Sequence, residues 1–319
     1  MDGLIVIDKP SGPTSHDVVA RMRRALGERR VGHTGTLDPS ATGVLPLVLG
    51  RATRLARFLS ARDKRYEAVI RLGLATDTYD AQGEPSGSPY DGPWPSHAEI
   101  DRALDAFRGT FLQQPPAFSA KKIEGKRSYL IARRGTTSAR HLSFTGGGAL
   151  PAPVIVTART IDILSVEGDR VTLLIDCSAG FYVRSLAHDL GDRLGIGAHL
   201  MTLRRTRSGD LTLAGAVPLD VAERDRDAAR AALIPLDRML PGLLAVVLTD
   251  AGARRLAHGR DLGSGDIAEG VRPVSEPHGV GLETAVLQCV RLMTEGGHLL
   301  GIAEPTGTPG LLHPSVVLV

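Results

Sequence analysis

The chain has 319 residues, 42% of them apolar and 23% charged, with a formal net charge of +3 and a pI near 9.0. That length exceeds one comfortable core and implies two domains of an ordinary globular protein. No apolar run approaches the ~20 residues of a membrane helix, the N-terminal apolar run is too short for a signal peptide, and Cys177 and Cys289 are too far apart for a disulfide framework or a metal-ligand spacing, so a reducing cytoplasmic setting is expected.

Leu4–Ile7 reads as a short strand ending in a Lys-Pro-Ser-Gly turn. Ser15 is the candidate cap of a helix to about Leu26, with Val18, Val19, Met22 and Leu26 on one face and Gly27 as its stop. Gly32–Gly43 reads as a loop before the apolar strand Val44–Leu49, followed by a short helix from Thr53 to Leu59 and a strand Tyr66–Leu72. Asp80–Gly87 is turn-rich. Ser96 and Glu99 form a capping box that opens a helix to Phe107, and Pro115 and Pro116 then break the chain. Gly125–Gly135 is basic with room for a short helix, and Thr136–Pro153 reads as a flexible surface stretch. Val154–Val166 and Arg170–Cys177 pair as strands across a Glu-Gly-Asp turn, a helix spans Val183–Leu194, and a strand follows near His199–Arg207. Beyond a boundary near Leu240–Ala245, Thr249 caps a helix ended by Gly259, and Ala285–Leu292 and His298–Ala303 suggest a small β-rich domain. Hairpins mixed with helices favour an α+β fold with a mixed, largely antiparallel sheet.

Charge is unevenly placed. Twelve Lys or Arg face four Asp or Glu from Arg21 to Arg71, and seven face one from Lys121 to Arg140, whereas Ala245–Val319 has five against eight. Basic segments of this kind are the footprint of a polyanion site, because each phosphate contact releases condensed counterions.

The segment GHTGTLDPSATGVLPL, Gly32–Leu47, surrounds one carboxylate, Asp38, with glycines, threonines and prolines. Such a loop permits close approach of a ligand and can fix the carboxylate through hydroxyl and amide donors. It is no phosphate-binding loop, since no Gly-Lys-Ser/Thr closes it. By residue type alone, Asp38-Pro39 also suits a plain turn.

The segment resembles the catalytic motif of the bacterial tRNA pseudouridine-55 synthase family, also called tRNA pseudouridine synthase B. Further blocks match in order: IDKPSGPTSHDVV (Ile7–Val19), KRYEAVIRLG (Lys64–Gly73) with TDTYDAQG (Thr76–Gly83), QPPAFSAKKIEGKRSYLIARRG (Gln114–Gly135), and CSAGFYVRSLAHDLGDRLG (Cys177–Gly195) with LRRTRSG (Leu203–Gly209). The resemblance runs from Leu4 to about Gly209 and implies a pseudouridine synthase catalytic domain over 1–240, an RNA-gripping thumb over 114–150, and a small RNA-binding, β-barrel-like domain over 245–319. Phe118 stands where the family favours Tyr, and 136–153 matches nothing in the pattern.

Carried over by position, the resemblance makes Asp38 the carboxylate acting on the target nucleotide, Tyr66 the ring stacked on the flipped uracil, and Arg184 the partner of Asp38. Tyr182 and Leu203 line the base pocket, His33 contacts the flipped-out RNA loop, Lys9, Pro10 and Lys64 support the site, and Lys121, Lys122 and Lys126 grip RNA from the thumb. The implied substrate is the TΨC stem-loop of tRNA, acted on by a monomer without cofactor, metal, guide RNA, protein partner or membrane. The chemistry agrees: the N1–C1′ bond exchanges for C5–C1′ with no net redox change, while a carboxylate can attack C1′, add to C6 or take the C2′ proton. A stacked uridine must be extruded first, and an aromatic partner replaces roughly 1–3 kcal/mol of stacking.

Three other readings are weaker. A non-catalytic RNA-binding protein on this scaffold would lack Asp38, which is present with Tyr66 and Arg184. A guide-RNA-dependent relative would lack the Gln114–Gly135 thumb. A phosphate-loop transferase would need the missing lysine.

Overall fold

A computed structural model describes residues 1–117, 122–123, 126–127, 151–268 and 289–319. Phe118, Lys121, the expected short helix over 125–135 and most of the stretch over 136–153 lie outside the described residues, as do the side chains of Lys122 and Lys126.

Strand β1 (Gly3–Lys9) leads to helix α1 (Ser15–Leu26). The cap is Thr14, one residue before the expected Ser15. Its hydroxyl accepts the Asp17 N–H at 3.0 Å, and the Asp17 carboxylate accepts the Thr14 N–H at 2.9 Å, closing a capping box. The Ser15 hydroxyl is engaged with Leu37 instead. The buried face of α1 is Val18, Val19, Met22 and Leu26, and Gly27 ends it at φ 66°, a left-handed conformation glycine adopts without penalty. Strands β2 (Val31–His33) and β3 (Thr42–Leu49) flank the loop that carries Asp38, so the expected loop begins slightly later than Gly32. The expected helix over Thr53–Leu59 is a 3₁₀ turn (Gly50–Leu55) followed by α2 (Ala56–Ser60).

In β4 (Lys64–Leu72) the alternate residues Lys64, Tyr66, Ala68, Ile70 and Leu72 are buried, the period-2 pattern of a sheet face. A two-residue ribbon follows, β5 (Ala75–Thr76) with β6 (Pro85–Ser86). Helix α3 (His97–Leu104) has the expected Ser96–Glu99 capping box and runs into a 3₁₀ turn through Phe107. Strand β7 (Gly109–Gln113) precedes a minimal hairpin of β8 (Lys122–Ile123) and β9 (Lys126–Arg127). Next come β10 (Val154–Glu167), β11 (Arg170–Cys177), helix α4 (Val183–Leu194) and β12 (Ala198–Ser208), close to the expected bounds. The remainder is β13 (Leu211–Thr212), β14 (Val217–Pro218), α5 (Leu219–Arg224), α6 (Arg226–Ala231), β15 (Ile234–Pro235), β16 (Leu244–Val247), α7 (Asp250–Ala257), β17 (Val290–Met293), β18 (Leu299–Pro305) and β19 (Leu312–Val317).

The chain forms two compact units. The first comprises 1–39, 43–63 and 208–319. In it β1 pairs antiparallel with β3 over seven residue pairs, from Gly3–Leu49 to Lys9–Gly43, and parallel with β14; β15 also pairs with β1, and β2 with β3. A separate four-stranded sheet has the order β16-β17-β18-β19, parallel at β16–β17 and antiparallel elsewhere. The β-rich C-terminal segment is therefore present, but among the described residues it is an open sheet and not the barrel expected, since four strands in this order leave β16 and β19 at its two ends. A single core holds Leu4, Val6, Val44, Val48, Leu55 and Phe58 together with Leu240, Leu243, Cys289, Ile302 and Leu318.

The second unit, 40–42 with 64–207, contains the sheet order β12-β4-β11-β10-β7. Strands β4 and β11 pair antiparallel over eight residue pairs, and β10 pairs antiparallel with β11 and β7. Helix α4 packs on β4 and α3. Its Gly191 is required by close approach: a Cβ there would lie 2.1 Å from the Ala198 nitrogen and 2.4 Å from the Gly197 carbonyl carbon. The fold is α+β with mixed strand pairing, as its sequence implied.

Candidate active site

The loop between β2 and β3 has little ladder pairing of its own, so its backbone groups must find other partners. Immediately before Asp38, the Ser15 hydroxyl donates to the Leu37 carbonyl at 3.0 Å and accepts the Leu37 N–H at 2.8 Å, and Ser15 and Leu37 are both buried. Immediately after it, the Pro39 carbonyl accepts from Lys9 Nζ at 3.0 Å and from the Gly12 N–H at 2.8 Å. Lys9 is fully buried at 0% exposure and donates also to the Pro10 carbonyl at 3.0 Å. A buried ammonium is costly unless its donors are used, and here they tie the Lys-Pro turn to the Asp38 loop. Asp38 itself is half-buried. The Asp38 carboxylate thus hangs from a backbone gripped on both sides.

His33, half-buried at the end of β2, accepts the Gly35 N–H on Nδ1 at 3.4 Å. Its ring meets that of His16 edge-on, 5.1 Å between centroids at 81°.

In the second unit, Tyr66 and Lys64 sit on the buried face of β4, opposite Ile175 and Cys177 of β11, at 9% and 6% exposure. Tyr182 immediately precedes α4. The Gln113 side-chain amide holds it from both sides, accepting the Tyr182 N–H at 2.8 Å and donating to its carbonyl at 3.0 Å. This fixes the entry of a helix that has no side-chain cap. Two residues on, Arg184 is buried; it donates to the Thr78 carbonyl at 3.2 Å and lies 3.7 Å from the Asp80 carboxylate. Leu203 is half-buried, and its carbonyl accepts from the Thr42 hydroxyl at 3.5 Å.

The turn carrying Asp80 is itself braced. Its carboxylate accepts from the Thr78 hydroxyl at 2.7 Å and the Gln82 N–H at 3.0 Å. Tyr79 holds φ 65°, uncommon outside glycine, and its ring stacks on His188 of α4 at 3.8 Å and 7°. Burial pushes the Tyr79 hydroxyl up, with Asp189 and Asp192 adding to the effect. Burial likewise raises the Asp189 carboxyl to about 6, opposed by His188 and assisted by Asp192.

Lys9, His33 and Asp38 therefore belong to the first unit, and Lys64, Tyr66, Tyr182, Arg184 and Leu203 to the second. Lys122 and Lys126 have their backbones in the β8–β9 hairpin; Lys121 lies outside the described residues. Sequence reasoning missed Gln113, Asp80 and the role of Ser15. Asp80 lies inside the Thr76–Gly83 block and was available there, whereas nothing in the sequence marks a serine at a helix start as a clamp on a loop 22 residues away. Among the described residues no group of three or more His, Cys, Asp or Glu is placed to hold a metal ion, and no helix is long and apolar enough to cross a membrane.

Residues 23–183 match the family described as TruB family pseudouridylate synthase (N terminal domain), and residues 184–241 match the tRNA pseudouridylate synthase B C-terminal domain. The chain is 41% identical over 320 residues to the tRNA pseudouridine synthase B of Solibacter usitatus, covering 100% of both chains. It is 39% identical to that of Corynebacterium diphtheriae, covering 92% of this chain and 94% of the relative. Among solved structures, a chain of an H/ACA RNP bound to a substrate RNA containing 2'-deoxyuridine aligns with a TM-score of 0.69 at 26% identity, covering 99% of this chain and 85% of that one. With family matches across both units and relatives alike along almost their whole lengths, the chain belongs to the TruB family of tRNA pseudouridine synthases, isomerases that convert uridine to pseudouridine in tRNA.

Proposed function

We propose that this protein isomerises the uridine at position 55, in the TΨC loop of tRNA, with Asp38 as its catalytic carboxylate. The observation that carries this reading is the double clamp on the Asp38 loop: Ser15 on Leu37, and Lys9 with Gly12 on Pro39. A surface turn built around Asp-Pro needs no buried lysine and no reciprocal serine to hold it. A carboxylate that must meet one atom of an extruded nucleotide does, because displacement by about 1 Å can cost two orders of magnitude in rate.

In the proposed reaction the target uridine leaves its stack and Tyr66 supplies the replacing ring. The N1–C1′ bond breaks, the base turns, and C5–C1′ forms; the C5 proton leaves and N1 gains one, so atoms and electrons balance without a redox partner. Asp38 acts on the nucleotide, and Tyr66 assists removal of the C5 proton. Arg184 pairs with Asp38, offsetting the desolvation of a part-buried acid. Tyr182 and Leu203 shape the base pocket, Lys64 supports it, and His33 meets the flipped-out loop. Lys121, Lys122 and Lys126 grip RNA backbone from the thumb over 114–150, six positive charges against one acid between Lys121 and Arg134. Functionally, 1–240 carries the catalysis and 245–319 a local RNA contact, even though that segment shares a core with the first strands. The enzyme works as a cytoplasmic monomer without cofactor, guide RNA or protein partner.

The test is to incubate pure protein with an unmodified tRNA transcript and no additive, and to map pseudouridine along it. Conversion at position 55 supports the reading; conversion elsewhere, or none until another RNA or protein is added, contradicts it.

A further inference from the structure

The end of α1 gathers arginines that form no ion pair among the described residues. Arg23, Arg24 and Arg29, with Gly27 and Glu28, line a hollow of about 530 Å³, and Arg30 follows. All four arginines are exposed. Arg23 donates to the Val31 carbonyl at 2.7 Å, while the side chains of Arg24, Arg29 and Arg30 make no hydrogen bond or ion pair among the described residues. Glu28, one acid beside four arginines, offsets only part of that charge. Its carboxylate accepts the Arg30 backbone N–H at 2.9 Å and the Met1 amine at 2.9 Å, contacts that hold it below its ordinary range.

Neighbouring arginines are treated differently. Arg21 pairs with Glu223 at 3.7 Å, Arg224 with Asp220, and Arg230 with Asp227 at 3.7 Å, while Arg226 donates to the Leu26 carbonyl at 2.7 Å. The α1 dipole favours Arg23 and Arg24 in the last turn, but Arg29 and Arg30 lie beyond it. Unmatched like charges crowded into eight consecutive residues, 23–30, repel one another in the free protein, and a polyanion relieves that repulsion.

We infer that this hollow is a docking site for RNA phosphodiester backbone, adding affinity for tRNA and no chemistry. The inference rests on tRNA as the substrate. A run of exposed guanidinium forks suits successive phosphates. A membrane surface would call for an apolar anchor beside the charges, and none of the lining residues supplies one. A single buried phosphate would call for a closed cradle of backbone donors, whereas this hollow is walled by exposed side chains.

The test is the triple variant R24Q/R29Q/R30Q, sparing Arg23 because it holds Val31. Its tRNA affinity is measured from about 50 to 200 mM salt beside the wild type, with turnover at saturating tRNA. The log–log salt slope should shrink by about two units, near 0.7–0.9 for each phosphate no longer neutralised, with Kd raised about tenfold or more at low salt and kcat unchanged. The R24K/R29K/R30K variant should keep the wild-type slope. An unchanged slope in the glutamine variant overturns the inference. So does binding of phosphatidylserine vesicles that depends on these arginines while tRNA binding does not. Wild-type turnover measured on the same tRNA separates failure of this site from failure of the function it rests on.

Discussion

Ser15 and Leu37 exchange two hydrogen bonds across 22 residues of sequence, hydroxyl to carbonyl at 3.0 Å and amide to hydroxyl at 2.8 Å. Helix α1 is capped by Thr14 and packed through Val18, Val19 and Met22, so Ser15 ties the residue beside Asp38 to a packed helix. Ser15→Ala would leave a buried N–H and carbonyl unpaired, at a cost of about 1–3 kcal/mol. The expected outcome is a folded enzyme with a lowered melting temperature, a kcat reduced by about 10- to 100-fold and a KM little changed. A raised KM with kcat intact would mean the clamp serves binding instead.

Gly191 offers a test of packing. In most exposed helix interiors, Gly→Ala stabilises by up to about 1 kcal/mol. Here the added carbon would meet the Gly197–Ala198 backbone at 2.1–2.4 Å, and backbone cannot swing aside. Gly191→Ala should therefore destabilise by about 1–3 kcal/mol, read as a lower denaturant midpoint with an unchanged slope. A raised midpoint would show that α4 and β12 are not this close.

Asp189 gives a pH dependence with a definite sign. Its carboxyl lies near 6 in the fold, raised from an ordinary 3.8 chiefly by burial. Between those values the folded state binds more protons than the unfolded state, so this group's contribution to stability falls as pH rises through that window. Above about 6 the folded protein holds a half-buried anion, and below about 4 it holds none. Asp189→Asn should match the wild type near pH 4 and melt higher by a growing margin up to about pH 6.5. A margin constant across that range would remove Asp189 as its source.

Tyr66 lies on the buried face of β4. Tyr66→Phe keeps the ring and removes the hydroxyl. In the proposed mechanism it should bind tRNA within a few-fold of the wild type and slow the step that removes the C5 proton, visible as a larger isotope effect with 5-deuterated uridine. Wild-type rates would make the hydroxyl dispensable.

Local periodicity and punctuation marked much of this fold in the sequence. Val183–Leu194 appears with its expected ends because Gly195 stops it in a left-handed conformation at φ 71°, and the β10–β11 hairpin turns at Gly168, as the Glu-Gly-Asp signal implied. Where a side chain was claimed by a distant partner, local pattern misassigned its role. Local pattern pointed to Ser15 as the cap of α1, but its hydroxyl is taken by Leu37, a tertiary partner that local pattern does not contain, and Thr14 closes the capping box instead. The same limit applies to Gln113, whose amide grips Tyr182 from 69 residues away, and to the C-terminal sheet, where strand signals were legible and closure was not. The Asp38 loop was legible as a motif, but the lysine and serine that hold it became meaningful only in three dimensions.

The central assignment is tested most directly by a single-turnover assay of Asp38→Asn, with enzyme in excess over unmodified tRNA. No pseudouridine should form over many wild-type half-lives, while tRNA affinity stays within a few-fold. Pseudouridine appearing in that variant at the wild-type rate would contradict the role given to Asp38.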